Sequence, residues 1–249
     1  MPIYEPDHVE YVITSGNIQI AMDDGRQLPA YWAHPTLGSK FPGIAIIHDW
    51  WGLTPLIRRM ANLFAQMGHY VIVPDLFTGQ TADTPQAAMK LVESLSDRGY
   101  QRVDDALTVL ENHHHCNSTV AALGVGMGGS LAFEAAIKRD DLEAAVAYGG
   151  FPHTYLAQIK DANTPIYAFF GEHEPHIKPD VIKRLKEEMQ KSKYQLPHKI
   201  QIVPELGHDI FADNFNETQK QRSRQALNDT IKFLDEYLEP PKKRKPQVY

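Results

Sequence analysis

Leu123-Gly124-Val125-Gly126-Met127-Gly128-Gly129-Ser130 leads from an apolar run, residues 120–123, through a glycine-rich turn into a stretch of helical length, residues 130–138. A short run with no polar alternation reads as a strand buried on both faces, the habit of parallel sheets. Working outward, residues 44–47, 71–73, 144–147 and 166–170 repeat that habit. Amphipathic stretches of helical length lie between or beyond them, at 56–67, 85–95, 104–111, 180–191 and 218–238. Strand and helix alternate, so the expected fold is α/β, with a mostly parallel central sheet and helices on both faces. Two strand-like runs, 17–22 and 28–33, flank Asp23-Asp24-Gly25 and predict an N-terminal antiparallel hairpin. No gap between segments is long enough for a large cap domain.

Three further strand exits are rich in reactive side chains. Ile47 runs into His48-Asp49-Trp50-Trp51-Gly52. Phe170 runs into Gly171-Glu172-His173-Glu174-Pro175-His176, and Ile202-Val203 into Pro204-Glu205-Leu206-Gly207-His208-Asp209. In open α/β sheets ligands gather outside the carboxyl ends of the strands, which is where all these residues fall. The chain order of glycine-rich elbow, later acid and final histidine is that of the α/β-hydrolase triad.

His48 to Leu53, the Ile57-Arg58 helix after it, residues 70–73 closed by Pro74-Asp75-Leu76-Phe77, and Gly207-His208 together resemble the dienelactone hydrolase family over about residues 15–238. The resemblance implies an α/β-hydrolase fold acting on a small ester, lactone or carboxylate. It places Glu174 as the acid, normally Asp, and His208 as the base. The backbone N–H groups of Trp50 and Met127 become the oxyanion hole, and Asp49 takes the place of a Glu that meets the resting nucleophile. The family's elbow carries Cys or Ser where this chain has Gly126, which has no side chain to attack with.

Several readings of Gly126 follow. Cys116, the only cysteine, stands ten residues upstream at the other end of the strand, roughly 20–30 Å away at about 3.3 Å per residue, and cannot substitute. Ser130, a helical turn beyond, reads as a small residue packed near the sheet. Gly124-x-Gly126-x-x-Gly129 also satisfies a dinucleotide-binding fingerprint, but the next strand ends Tyr148-Gly149-Gly150-Phe151 without the acid such a site needs. Two readings stay open. In one, Glu174 and His208 activate a water in the nucleophile's place and hydrolysis is weak; in the other, the protein is a non-catalytic pseudoenzyme binding a small carboxylate or lactone. Asp49, Trp51, Phe77, Tyr148 and Phe151 are candidate walls of the pocket, and of the adjacent Trp50 and Trp51 one is expected in the pocket and one in the core.

The 249 residues amount to a single domain, 1–249, with an N-terminal arm at 1–10 and a basic tail at 239–249. A domain of this size buries about three quarters of its unfolded surface and needs no metal or disulfide to fold. With 25 Lys+Arg against 31 Asp+Glu the net charge is −6, which argues against a nucleic-acid partner. No apolar run is long enough to cross a membrane. One cysteine and no leader-like N-terminus point to the reducing cytoplasm. No cofactor or metal is expected. His48, His173, His176 and His208 with nearby carboxylates form a ligand-like set, but His173 and His176 read as exposed loop residues. His113-His114-His115-Cys116 reads as a solvated loop on the opposite face, and Arg58 and Arg59 as solvated helix residues. The partner is a small molecule, and the chain a monomer or homodimer.

Overall fold

The computed structural model describes residues 11–22 and 25–241. Asp23 and Asp24, the arm at 1–10 and the basic cluster Lys242-Lys243-Arg244-Lys245 lie outside the described residues. Eight strands form one sheet: β1 (Ile13–Ala21), β2 (Gln27–Pro35), β3 (Phe41–Ile47), β4 (Tyr70–Pro74), β5 (Cys116–Val125), β6 (Ala144–Tyr148), β7 (Ile166–Gly171) and β8 (Lys199–Val203). Their order across the sheet is β1-β2-β4-β3-β5-β6-β7-β8. β1 and β2 form the expected antiparallel hairpin, β2 is antiparallel to β4, and all later neighbours are parallel. Every residue of β3, β4, β6 and β7 is buried, which is why these strands are apolar without alternation. β1 and β8, at the edges, keep a mixed pattern.

Six α-helices cover the faces: α1 (Pro55–Gln66), α2 (Pro85–Leu95), α3 (Arg98–Glu111), α4 (Met127–Lys138), α5 (Pro179–Gln190) and α6 (Glu217–Tyr237). Proline opens α1, α2 and α5, where its missing N–H costs nothing. Thr84 caps α2 through the Ala87 N–H, and Asn216 with Gln219 forms a capping box on α6. Ile57 and Phe64 of α1 and Leu227 and Phe233 of α6 fill the core on one face. Leu95, Leu107, Phe133 and Leu185, from α2 to α5, fill the other. Two helices start three or more residues earlier than the sequence pattern predicts: α3 at Arg98 rather than 104, and α4 at Met127 rather than 130. Among the described residues no helix is long and apolar enough to cross a membrane.

The parallel register aligns the strand exits. Ile47 pairs with Gly124, Val125 with Tyr148, and Gly171 with Val203. The segments that follow β3, β5, β6, β7 and β8 therefore share one edge of the sheet.

Candidate active site

Gly126 is the whole turn between β5 and α4, with φ +54° and ψ −117°. Side-chain-bearing residues rarely adopt that backbone, and glycine reaches it without strain. Its N–H donates to the Tyr148 carbonyl at 2.8 Å, which fixes the turn against β6. The glycines around it answer to space. A Cβ on Gly124 would lie 2.0 Å from the Gly128 carbonyl oxygen, one on Gly128 2.1 Å from the Ile47 oxygen, and one on Gly129 2.8 Å from the Gly150 Cα. They seat the first turn of α4 directly on β3, β5 and β6, so the run that also fits a dinucleotide fingerprint is explained by packing.

A Cβ at position 126 would lie 3.8 Å from His208 Nε2 and 3.3 Å from the Asp49 Cβ. His208, on the loop after β8, holds Glu174 Oε2 through Nδ1 at 2.8 Å. This makes Nδ1 the donor and leaves the Nε2 lone pair facing the space beside Gly126. Phe151 packs 5.3 Å from the His208 ring and His176 5.0 Å from it. Glu174 is held in turn: Oε1 accepts the His176 and Ile177 N–H groups at 2.8 and 3.3 Å, and the side chain is 3% exposed.

The electrostatics of this pair follow from its contacts. Burial works against charge on His208, but the hydrogen bond to Glu174 and the charges of Glu174, Asp209 and Asp49 outweigh it and hold the imidazole above its ordinary value. Burial pushes Glu174 up, and the His208 bond with the two backbone N–H groups pulls it below the usual carboxylate range. The pair therefore stabilises the fold between its two folded-state pKa values. That contribution fades as pH falls through the value of Glu174 or rises through that of His208. Glu174→Gln keeps a hydrogen-bond acceptor but removes the charge, so the His208 midpoint is expected to fall, as followed by imidazole NMR titration. A midpoint that stays or rises would locate the source of the shift elsewhere.

Asp49 belongs to the opposite wall, and His48 braces it from behind. His48 is fully buried; its Nδ1 donates to the Asp49 carbonyl at 2.7 Å and its Nε2 accepts the Leu76 N–H at 3.0 Å. Accepting at Nε2 needs the neutral ring, and burial, only partly offset by Asp49 and Asp75, lowers its pKa. Asp75 accepts the Phe77 and Gly79 N–H groups and shapes the turn that presents Leu76. The Pro74-Asp75-Leu76-Phe77 segment thus braces the β3 exit. Asp49 Oδ1 accepts the Trp51 N–H at 2.9 Å. Burial pushes this carboxyl up to about 6; Asp209 adds to the shift, while the Trp51 N–H and His208 oppose it.

These walls enclose a cavity of about 380 Å³. Asp49, Trp50, Trp51, Gly126, Met127, Phe151 and His208 line it, together with Val92, Val125, Ser130, His176 and Asp209. Both tryptophans face it, their rings 5.0 Å apart, which corrects the expectation that one would enter the core. Phe77 does not line it: it is buried 5.1 Å from the His48 ring. Tyr148 is buried in the core and pairs its hydroxyl with Thr230. His176 is exposed, as the sequence suggested, and it also lines the rim of the cavity. Nothing in its neighbourhood along the chain signals this, because only the curl of the backbone around Glu174 brings it in. Ser130 Oγ accepts the Phe151 N–H at 2.9 Å.

The other candidates lie away from the cavity. Arg58 donates to Asn17 and stacks over Tyr31, and Arg59 pairs with Asp213 at 2.6 Å. His173 is exposed beside Glu172. Cys116 is buried at the start of β5, and burial raises its thiol to about 11. His113 packs on Tyr70 at 4.5 Å, with His115 also half-buried, so this loop is less solvated than expected. No group of three or more His, Cys, Asp or Glu among the described residues is arranged to hold a metal ion.

A parallel sheet flanked by helices, with a tight strand-to-helix turn facing a histidine–carboxylate pair at the strand exits, is the α/β-hydrolase fold. Within that class the chain belongs to the dienelactone hydrolase family, whose profile matches residues 28–238. Protein usf of Aquifex pyrophilus is 27% identical over 225 residues, 86% of this chain and 96% of the relative. A putative carboxymethylenebutenolidase of Aquifex aeolicus is 23% identical with the same coverage. Among solved structures, a putative dienelactone hydrolase from Klebsiella pneumoniae superposes with a TM-score of 0.75 at 20% identity, covering 87% of this chain and 97% of that one. A dienelactone hydrolase-like promiscuous phosphotriesterase from metagenomic libraries gives 0.77 at 17% identity, covering 91% and 99%.

Proposed function

We propose that this protein hydrolyses small esters or lactones slowly and without a covalent intermediate, Gly126 standing where the family's nucleophile would be. The observation that carries the reading is the 3.8 Å between His208 Nε2 and the position a Cβ would take on Gly126, because it leaves a base aimed at a space where a water fits. The water oxygen attacks the carbonyl carbon while its proton passes to His208 Nε2. The Trp50 and Met127 N–H groups receive the oxyanion; Met127, as the first residue of α4, has no partner for its N–H within the helix. The tetrahedral species then expels the alkoxide, which takes the proton back from His208, giving an acid and an alcohol, or a hydroxy acid from a lactone. Glu174 keeps the ring in the competent tautomer throughout.

The relatives named carboxymethylenebutenolidase support the choice of substrate class, and the single buried cysteine fits a cytoplasmic protein. In serine hydrolases that lose a triad member, the oxyanion hole and binding alone still give about 10³–10⁴-fold acceleration over water. Steady turnover of p-nitrophenyl acetate or a small lactone is expected, falling by about 10²-fold or more in His208→Ala. Absent turnover, or turnover indifferent to that change, would overturn the proposal. The same cavity would then be read as a ligand pocket in a non-catalytic protein, since it persists although residue 126 has no side chain.

A further inference from the structure

The cavity has a charge character that bears on what enters it. Among the described residues lining it there is no lysine or arginine, while Asp49 lies deep in the wall and Asp209 at the exposed rim. Arg58 and Arg59, the nearest arginines in the sequence to the Trp50-Trp51 wall, are engaged with Asn17, Tyr31 and Asp213. Glu174 stands behind His208 as a third carboxylate. With these three carboxylates ionised, the region is net negative whether His208 is neutral or protonated, and it stays so if His176 is protonated as well. The rest of the wall is aromatic: Trp50 and Trp51 in edge contact, and Phe151 against His208.

We infer that the pocket selects a ligand carrying an alkylammonium group, seated between the Asp49 and Asp209 carboxylates and the faces of Trp50, Trp51 and Phe151. Carboxylates beside aromatic faces attract such a cation twice, by charge and by the ring quadrupole, and tryptophan is the strongest of the rings for this. An anionic ligand of the same size meets like charge with no guanidinium or ammonium to offset it. As a substrate class this rests on the hydrolytic reading above and specifies it as an ester or lactone of an amino or quaternary ammonium alcohol or acid. As a binding preference it stands independently of turnover.

Three probes of one shape separate the alternatives, and none is an ester: choline, its neutral counterpart neohexyl alcohol, and the anion isethionate. Their affinities for the whole protein are measured by titration calorimetry at pH 8, where Asp49 is ionised, and at low salt. Choline is expected to bind about tenfold more tightly than neohexyl alcohol, with isethionate weakest. Asp209→Asn, at the exposed rim where folding is not at stake, and Asp49→Asn should each shrink the choline-to-neohexyl ratio severalfold. Choline that fails to bind, binds no better than the neutral alcohol, or binds no better than isethionate would overturn the inference. So would a ratio untouched by both substitutions. Turnover of p-nitrophenyl acetate without a choline preference would sink this inference alone. A choline preference without turnover would sink the hydrolytic reading alone.

Discussion

Gly126→Ser and Gly126→Cys are expected to raise ester turnover by about 10²–10⁴-fold and to convert steady hydrolysis into a burst followed by a slower phase. The side chain would start from a Cβ already 3.8 Å from His208 Nε2, so an oxygen or sulfur one bond further out comes within hydrogen-bond reach of the base. The base, its carboxylate and the N–H of Met127 are in place before the substitution. The change also has a cost. A side-chain-bearing residue held at φ +54° stores about 1–3 kcal/mol of strain, and the Cβ sits 3.3 Å from that of Asp49, which must move by a few tenths of an ångström. The variants should therefore melt lower, by about 2–4 °C per kcal/mol in a domain of this size. Stopped-flow release of p-nitrophenolate, with mass spectrometry of the quenched protein, reads both the burst and the acyl adduct. No gain and no adduct in either variant would mean that position 126 is not the seat of a nucleophile.

Gly128→Ala, two residues away, is expected to prevent folding. Its backbone conformation is ordinary helix, so an alanine suffers no intrinsic strain there. The added carbon would instead lie 2.1 Å from the Ile47 carbonyl oxygen and 2.7 Å from that of His48. Neither obstacle is a flexible side chain. Both are backbone at the exit of β3, where Ile47 is paired in the middle of the sheet and the buried His48 ring braces the segment. Relief requires lifting α4 off the sheet, a loss of more than about 4 kcal/mol, which is a large part of a typical domain's stability. Urea unfolding followed by circular dichroism tests this, with Gly79→Ala as the control. Position 79 has a positive φ but nothing within 4 Å of its Cβ, so a loss of about 1 kcal/mol is expected there. A Gly128→Ala protein as stable as the parent would show that α4 is not seated this closely.

The contrast between these glycines explains what the sequence could and could not convey. The sheet was legible because β3, β4, β6 and β7 are buried on both faces and carry nothing but apolar residues and glycine or proline. The bounds of α2 were legible from its amphipathic pattern over residues 85–95. The first turn of α4 was not, because glycine serves there as a spacer between backbones, and a spacer looks like a loop in one dimension. Gly99 hides the start of α3 in the same way: it sits against Leu95 and Leu131, where a Cβ would press at 3.3–3.4 Å. Glu174, His208 and Asp49 could be named in advance because the strand exits that carry them resemble the motifs of the dienelactone hydrolase family. Phe77 and Tyr148 share that position in the chain, yet their side chains turn into the layers, and strand-exit position alone does not tell edge from face. His176 and Asp209 became wall residues only when the loops after β7 and β8 folded toward each other.

The brace at His48 and the pair at His208 lie far apart in sequence, and between them the chain completes nearly every strand of the parallel sheet. No short stretch of polypeptide contains the pocket, so it comes into being only when β3, β5, β6, β7 and β8 have all found their register. Assembly of such long-range pairings is slow, because each closure spends chain entropy before any contact repays it. A molecule lodged in the pocket touches segments from the exits of β3, β5, β6 and β8 at once, and so holds closed the long loops whose closure forms the sheet. Occupancy is thereby coupled to the lifetime of the folded chain, whether or not any bond is broken there.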